Sequence, residues 1–198
     1  WLEKNGEADN TIVIFMSDNG GYATGSGWRD EPLYTQNFPL KCGKGSAYEG
    51  GIREPMIVRW PGTVQPGTRC NDYLIIEDFY PSILEMAGID DYDVPQEIDG
   101  FVPLLKQTKN PSQGRSLYWN CPNIWGEKGP GIGPSCTIRK DNWKMIYFYE
   151  TGEKELYDIP NDIEENNNVA ALYPQIINKL SKELGKFLRQ TNGQRPSF

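Results

Sequence analysis

Residues 11–16 read Thr-Ile-Val-Ile-Phe-Met, an unbroken apolar and β-branched run closed by Ser17 and Asp18. Such a run, with no polar alternation and bounded by turn residues, predicts a fully buried strand over 11–17. A glycine-rich loop follows, from Gly20 to about Gly51, and then a second short strand, Met56-Ile57-Val58-Arg59-Trp60, stopped by Pro61-Gly62. A helix is predicted from Asp78 to Ala87, with Pro81 in its first turn and Gly88 as its stop. Strand, loop, strand and helix in this order suit α/β layering.

The pattern changes near Arg115. Short aromatic or β-branched runs at 116–120, 135–139, 143–149 and 154–158 predict an antiparallel meander. Residues 168–190 place Leu172, Ile176, Leu180, Leu184 and Phe187/Leu188 at helical spacing, with Lys179, Lys182, Lys186 and Arg189 on other faces. This predicts one amphipathic helix packed on the small sheet. Residues 161–168, rich in Asn and acids, read as a solvated loop leading to its cap. Two domains are expected, 1–112 and 113–198.

Composition removes several function classes. The formal net charge of −7 argues against a phosphate-backbone binder, which needs a basic face. No stretch is long and apolar enough to predict a membrane span, and no basic and apolar leader opens the sequence. Cys42, Cys70, Cys121 and Cys136 lie far apart, and histidine is absent, so a zinc knuckle is not expected. The four thiols are either free and buried or joined in one or two disulfides.

The chemistry gathers around the first loop. Asp18 and Asn19 follow a strand's carboxyl end, where ligands collect in α/β sheets, and their oxygens suit Ca²⁺ or Mg²⁺. Gly20-Gly21 permits a sharp turn; taken alone, the tetrapeptide favours a plain turn without a ligand. Downstream, Gly43, Gly45, Gly50 and Gly51 surround Lys44, so backbone amides and one ammonium can approach an oxyanion together. The order of a Walker loop is absent.

Ser17-Asp18-Asn19-Gly20-Gly21, then Gly43-Lys44-Gly45-x-x-Tyr48-Glu49-Gly50-Gly51-Ile52-Arg53-Glu54-Pro55, resembles the type I sulfatases (the arylsulfatase family) of the alkaline phosphatase superfamily. The resemblance continues through Trp60-Pro61-Gly62, Asp78-x-Tyr80-Pro81-Ser82, Asp99-Gly100, Glu155-Leu156-Tyr157-Asp158 and Asn161-Asp162-x-x-Glu165. It implies part of an alkaline-phosphatase-like α/β sandwich followed by a small antiparallel sheet with a C-terminal helix. It implies hydrolysis of an organic sulfate ester, aryl or carbohydrate, with Asp18 and Asn19 as Ca²⁺ ligands and Lys44 on the sulfate. Glu49 and Arg53 match motif positions and are read as supports of the loop.

Asn37, Asn120 and Asn123 are candidate substrate-subsite groups, the last two standing where many family members carry W-H-x-P-H histidines. The family's formylglycine motif, C/S-x-P/A-x-R, does not occur here. The expectation is therefore a C-terminal portion, inactive alone, whose partners are the nucleophile-bearing N-terminal half and a sulfated small molecule or glycan. An unpaired sheet edge could also support a dimer. The family habit points to a periplasmic or secreted location. The alternatives are a non-catalytic sulfated-glycan-binding module and a phosphodiesterase or phosphonate hydrolase of the same superfamily.

Overall fold

The computed structural model describes residues 1–22, 37–89, 91–94, 98, 100–108, 114–123 and 129–196; Asp99 and the whole of segment 23–36 lie outside them. The chain divides into two compact units, Trp1–Met16 with Met56–Arg115, and Ser17–Pro55 with Ser116–Phe198.

In the first unit, β1 (Val13–Met16) pairs antiparallel with β2 (Met56–Arg59), setting Phe15 opposite Ile57 and Met16 opposite Met56. The expectation of a fully buried strand is corrected here: Phe15 is 63% and Ile57 65% exposed. A two-stranded ribbon gives each residue one neighbouring strand, so apolar content alone does not bury it. Helix α2 (Phe79–Met86) follows its sequence signals closely, ending where Gly88 takes a left-handed φ of 73°. Just before it, Asp78 is buried and receives two parallel hydrogen bonds from the Arg115 guanidinium, at 2.8 and 2.7 Å, plus the Ile75 amide at 2.9 Å. The buried Ser82 hydroxyl accepts the Phe101 amide at 2.7 Å, fixing the start of α3 (Val102–Leu105).

The second unit is built on a four-stranded antiparallel meander in chain order: β3 (Ser116–Cys121), β4 (Ser135–Lys140), β5 (Trp143–Phe148) and β6 (Lys154–Asp158). Side chains alternate between its faces. Cys136, Ile138, Met145 and Leu156 point to one face, where Leu180, Leu184 and Leu188 of α4 (Pro174–Gln190) cover them. Tyr118 stacks on Phe187 with ring centroids 3.9 Å apart. Ile146 and Tyr157 point to the other face and pack with Ile159 and Tyr48. Each such aliphatic side chain contributes about 1.5–3 kcal/mol on burial.

Two expectations about the tail change. The helix begins at Pro174 instead of near 168, because Asn168 is engaged by the sheet: its Oδ1 accepts the Leu156 amide at 3.1 Å, and the Val169 amide donates to the Leu156 carbonyl at 2.9 Å. Leu172, assigned by spacing to the apolar stripe, is 72% exposed. The 161–168 segment is also more than a solvated loop, since Glu165 within it is fully buried at a left-handed φ of 51°. All four cysteines are free thiols.

Candidate functional site

The segment after β1 and the lysine loop are knotted together through glycine. The Gly20 amide donates to the Gly51 carbonyl at 3.2 Å, and the Lys44 amide donates to the Gly21 carbonyl at 3.1 Å. A Cβ on Gly20 would fall onto the Gly50 carbonyl oxygen, and one on Gly50 would fall onto the carbonyls of Lys41 and Cys42. Glycine is needed at both places because two backbones pass at contact distance. Asn37 completes the knot: its amide nitrogen lies within donating distance of the carbonyls of Gly21, Cys42 and Gly50 at 3.1, 2.9 and 3.1 Å. Its nitrogen therefore organises the loop and is not presented to a substrate.

This knot brings the backbones bearing Asp18, Asn19 and Lys44 into one local structure. Asp18 is exposed, while Asn19 and Lys44 are half-buried. The Asn19 amide nitrogen lies 3.4 Å from the Gly20 carbonyl, which leaves its carbonyl oxygen as the available donor to a cation. Glu54, a motif position with no role evident from sequence, stands beside them. Its Oε1 is buried and has no hydrogen-bond partner among the described residues. Burial first, and the Asp18 charge second, push the Glu54 carboxyl above its ordinary value. A hard cation against these oxygens would relieve both costs, so Asp18, Asn19 and Glu54 fit part of a Ca²⁺ donor set. Among the described residues no group of three or more His, Cys, Asp or Glu side chains forms a complete site.

The loop is held on the meander by buried charge. Glu49 opens the short helix α1 (Glu49–Ile52), and its Oε1 lies 3.0 Å from the ammonium of Lys144, a fully buried residue. The same ammonium is 2.8 Å from Glu165 Oε1. Arg53 and Arg139 approach Glu49 Oε2 at 3.5 and 3.7 Å. Burial works against ionising Glu49, but Lys144, Arg139 and Arg53 outweigh it and hold its carboxyl below the ordinary value. Glu165 goes the other way: burial raises its carboxyl despite Lys144. Glu165 also accepts the Glu49 amide through its carboxylate and the Lys41 ammonium through its main-chain carbonyl, the latter at 2.9 Å.

An aromatic brace adds to this. The Tyr48 and Tyr157 hydroxyls both donate to Glu155 Oε2 at 2.9 Å, and the Lys41 ammonium sits 3.9 Å above the Tyr48 ring. Glu49 and Arg53 thus support the loop as the sequence suggested. Lys144 carries no sequence signal, because a lysine in a strand looks solvated, and Glu165 is visible only as a motif position in an acidic loop.

The other candidates do not join the knot. Strand alternation turns Asn120 to the same face as Ser116 and Tyr118, which meet Glu183 and Phe187 of α4; the loop occupies the opposite face. Asn120 accepts the Tyr149 hydroxyl at 3.0 Å and donates to the Gln194 carbonyl at 2.9 Å, fastening the tail instead of facing Lys44. Asn123 is exposed just beyond β3.

A mixed α/β chain with an antiparallel sheet and a C-terminal helix shares the fold of the alkaline-phosphatase-like sulfatases. Residues 42–191 match the family model described as "N-sulphoglucosamine sulphohydrolase, C-terminal", and the chain belongs to the sulfatase family as its C-terminal domain. It is 33% identical over 180 residues to a sulfatase of Formosa agariphila, covering 86% of this chain and 30% of that protein. It is 31% identical over 199 residues to the N-acetylglucosamine-6-O-sulfatase of Bacteroides thetaiotaomicron, covering 98% and 32%.

Among solved structures, Ps i-CgsB in complex with k-i-k-neocarrahexaose superposes with a TM-score of 0.76 at 32% identity, over 100% of this chain and 40% of that one. A structure with its substrate D-glucosamine-2-N,6-O-disulfate gives 0.68 at 27% identity, over 98% and 37%. The chain thus spans about a third of the length of the curated relatives it matches. No helix among the described residues is long and apolar enough to cross a membrane.

Proposed function

We propose that this chain forms the sulfate-gripping part of a sulfatase that hydrolyses carbohydrate sulfate esters with Ca²⁺. The observation that carries the reading is the Lys44 amide on the Gly21 carbonyl, which ties the lysine loop to the Asp18-Asn19 segment. In this reading the Lys44 ammonium offsets negative charge as it gathers on the sulfate oxygens during transfer. Fixed charge in a partly buried site does this without waiting for solvent to reorganise. Asp18 and Asn19, with Glu54 beside them, would hold the divalent cation. Bound there, the cation would act as a Lewis acid on the ester's oxygens.

Glu49, Lys144 and Glu165 hold the loop so that the ammonium does not drift from its place. The attacking group, a formylglycine in the family, belongs in this reading to the part of the fold that the chain does not span. The isolated chain is therefore expected to turn over little or no substrate. A carbohydrate sulfate is preferred over an aryl sulfate because the glucosamine-6-sulfatase and the two ligand-bound structures are similar over nearly the whole chain. Glycan sulfates are met outside the cytoplasm, and a periplasmic or secreted location follows from that choice.

The test is sulfate release from glucosamine 6-sulfate by a polypeptide that joins this chain to the remaining sulfatase fold. Lys44→Ala should lower turnover by about 10²–10³-fold, the scale of losing one preplaced stabiliser of developing charge, with an unchanged circular dichroism spectrum. Turnover equal to the parent's removes Lys44 from the site.

A further inference from the structure

The outer face of α4 carries charge of one sign. Pro174–Gln190 contains Lys179, Lys182, Lys186 and Arg189 against the single acid Glu183, a balance of +3 in a chain whose total is −7, which leaves −10 for all other residues. At 100° per residue the four cations fall within an arc of about 80°, and Gln175 lies inside the same arc. The stripe runs about 15 Å from Lys179 to Arg189 at the helical rise. All four cations are exposed.

Glu183 does not balance them. Its carboxylate is turned to the sheet, where the Lys140 ammonium lies 2.7 and 2.9 Å from its oxygens and the Ser116 and Tyr118 hydroxyls also donate to it. Lys179 and Glu183 stand four residues apart, the spacing of a helix ion pair, but the Glu183 carboxylate is taken by Lys140, so the exposed arc keeps one sign. A shallow groove of about 640 Å³ follows the stripe, lined by Gln175, Asn178, Lys179, Lys182, Glu183 and Lys186.

We propose that this stripe is an auxiliary docking surface for a linear sulfated polysaccharide, separate from the Lys44 loop. Ammonium and guanidinium groups spaced along one line match regularly spaced anions on an extended chain. The stripe is narrow and about 15 Å long, so one extended chain can meet it alone, whereas duplex DNA or an anionic membrane presents a broad field that would also meet the net-negative rest of the chain. The loop and α4 cover opposite faces of the meander. A polymer held on α4 therefore engages sulfates other than the one being cleaved, and raises the local concentration of substrate groups. The choice of sulfated over other polyanions rests on the proposed function; the existence of an anion surface does not.

The experiment measures binding of the 198-residue chain to dextran sulfate, neutral dextran, duplex DNA and vesicles of phosphatidylserine and phosphatidylcholine, at several salt concentrations. Dextran sulfate should bind with strong salt dependence and neutral dextran should not. The combined variant Lys179→Gln, Lys182→Gln, Lys186→Gln, Arg189→Gln should bind dextran sulfate roughly tenfold or more weakly, with a shallower salt dependence. These positions are exposed, so an unchanged circular dichroism spectrum is expected and confirms folding.

Parent-like binding by the combined variant overturns the proposal, as does binding of DNA or vesicles as tight as that of dextran sulfate. Loss of polymer binding in the helix variant, together with unaltered sulfate release in Lys44→Ala, would sink the functional reading and leave the surface standing.

Discussion

The ribbon of β1 and β2 and the meander of β3–β6 are both antiparallel sheets, yet they treat apolar residues differently. Phe15 and Ile57 remain mostly exposed on the ribbon, whereas Ile138, Met145, Ile146 and Leu156 of the meander are buried almost completely. Strand chemistry does not separate them, since both carry Ile, Met and aromatic residues. Covering layers do. The meander has α4 on one face and the Tyr48–Glu49 loop on the other, and it can therefore afford a lysine at its centre, held by two carboxylates. The first unit buries Asp78 against Arg115 and keeps exposed apolar side chains on its ribbon.

The largest expected difference comes from the charge at the meander's centre. Lys144→Met leaves Glu49 and Glu165 buried without their shared cation and should cost about 3–5 kcal/mol, read from urea unfolding of the isolated chain. A loss below about 1 kcal/mol would mean that the pair is solvated in solution. Next, Leu184→Ala opens a cavity between α4 and the sheet and should cost about 2–5 kcal/mol in the same measurement.

Glu165→Gln tests the opposite shifts of the two carboxyls. The folded chain keeps a proton on Glu165 where the unfolded chain has lost it, so the Glu165 contribution falls as pH rises from the ordinary value of 4.5 through the folded one. Glu49, shifted down, contributes stability present above 4.5 and lost as pH falls through its folded value. Glu165→Gln should remove the decline above 4.5 and retain the loss at lower pH. An unaltered pH profile would refute the assignment. The smallest effect belongs to the ribbon: Phe15→Thr should change stability by no more than about 0.5 kcal/mol. It should reduce self-association in sedimentation velocity if that open sheet is where copies of the chain meet.

Much of this was legible in the residues themselves. The four meander strands appear within a residue or two of their positions, because short aromatic and β-branched runs are separated by the turn residues Lys140-Asp141-Asn142 and Glu150-Thr151-Gly152-Glu153. Helix α2 is equally plain from Pro81 and Gly88. The glycines at 20–21 and 43–51 read from sequence as a sharp turn and an oxyanion cradle, whereas the structure uses Gly20, Gly50 and Gly51 for a close approach of two backbones. Pattern reading failed where a distant partner overrides a local signal. Leu172 lies in register with the helix stripe, but Asn168 is taken by Leu156 and Pro174 restarts the chain. Asn120 sits beside a motif, yet the two-residue alternation of β3 faces it away from the loop. Glu165 looks solvated among Asn and acids until Lys144, 21 positions earlier, is seen beneath it.

That last residue makes turn length a long-range variable. One left-handed peptide at 165 offers its side chain to Glu49 and Lys144 and its main-chain oxygen to Lys41. Inserting or deleting a single residue between Asp162 and Glu165 would swing both acceptors off target and unfasten a loop more than a hundred positions upstream. In this protein, counting residues in an unremarkable acidic bend is a way of measuring how firmly Lys44 is held.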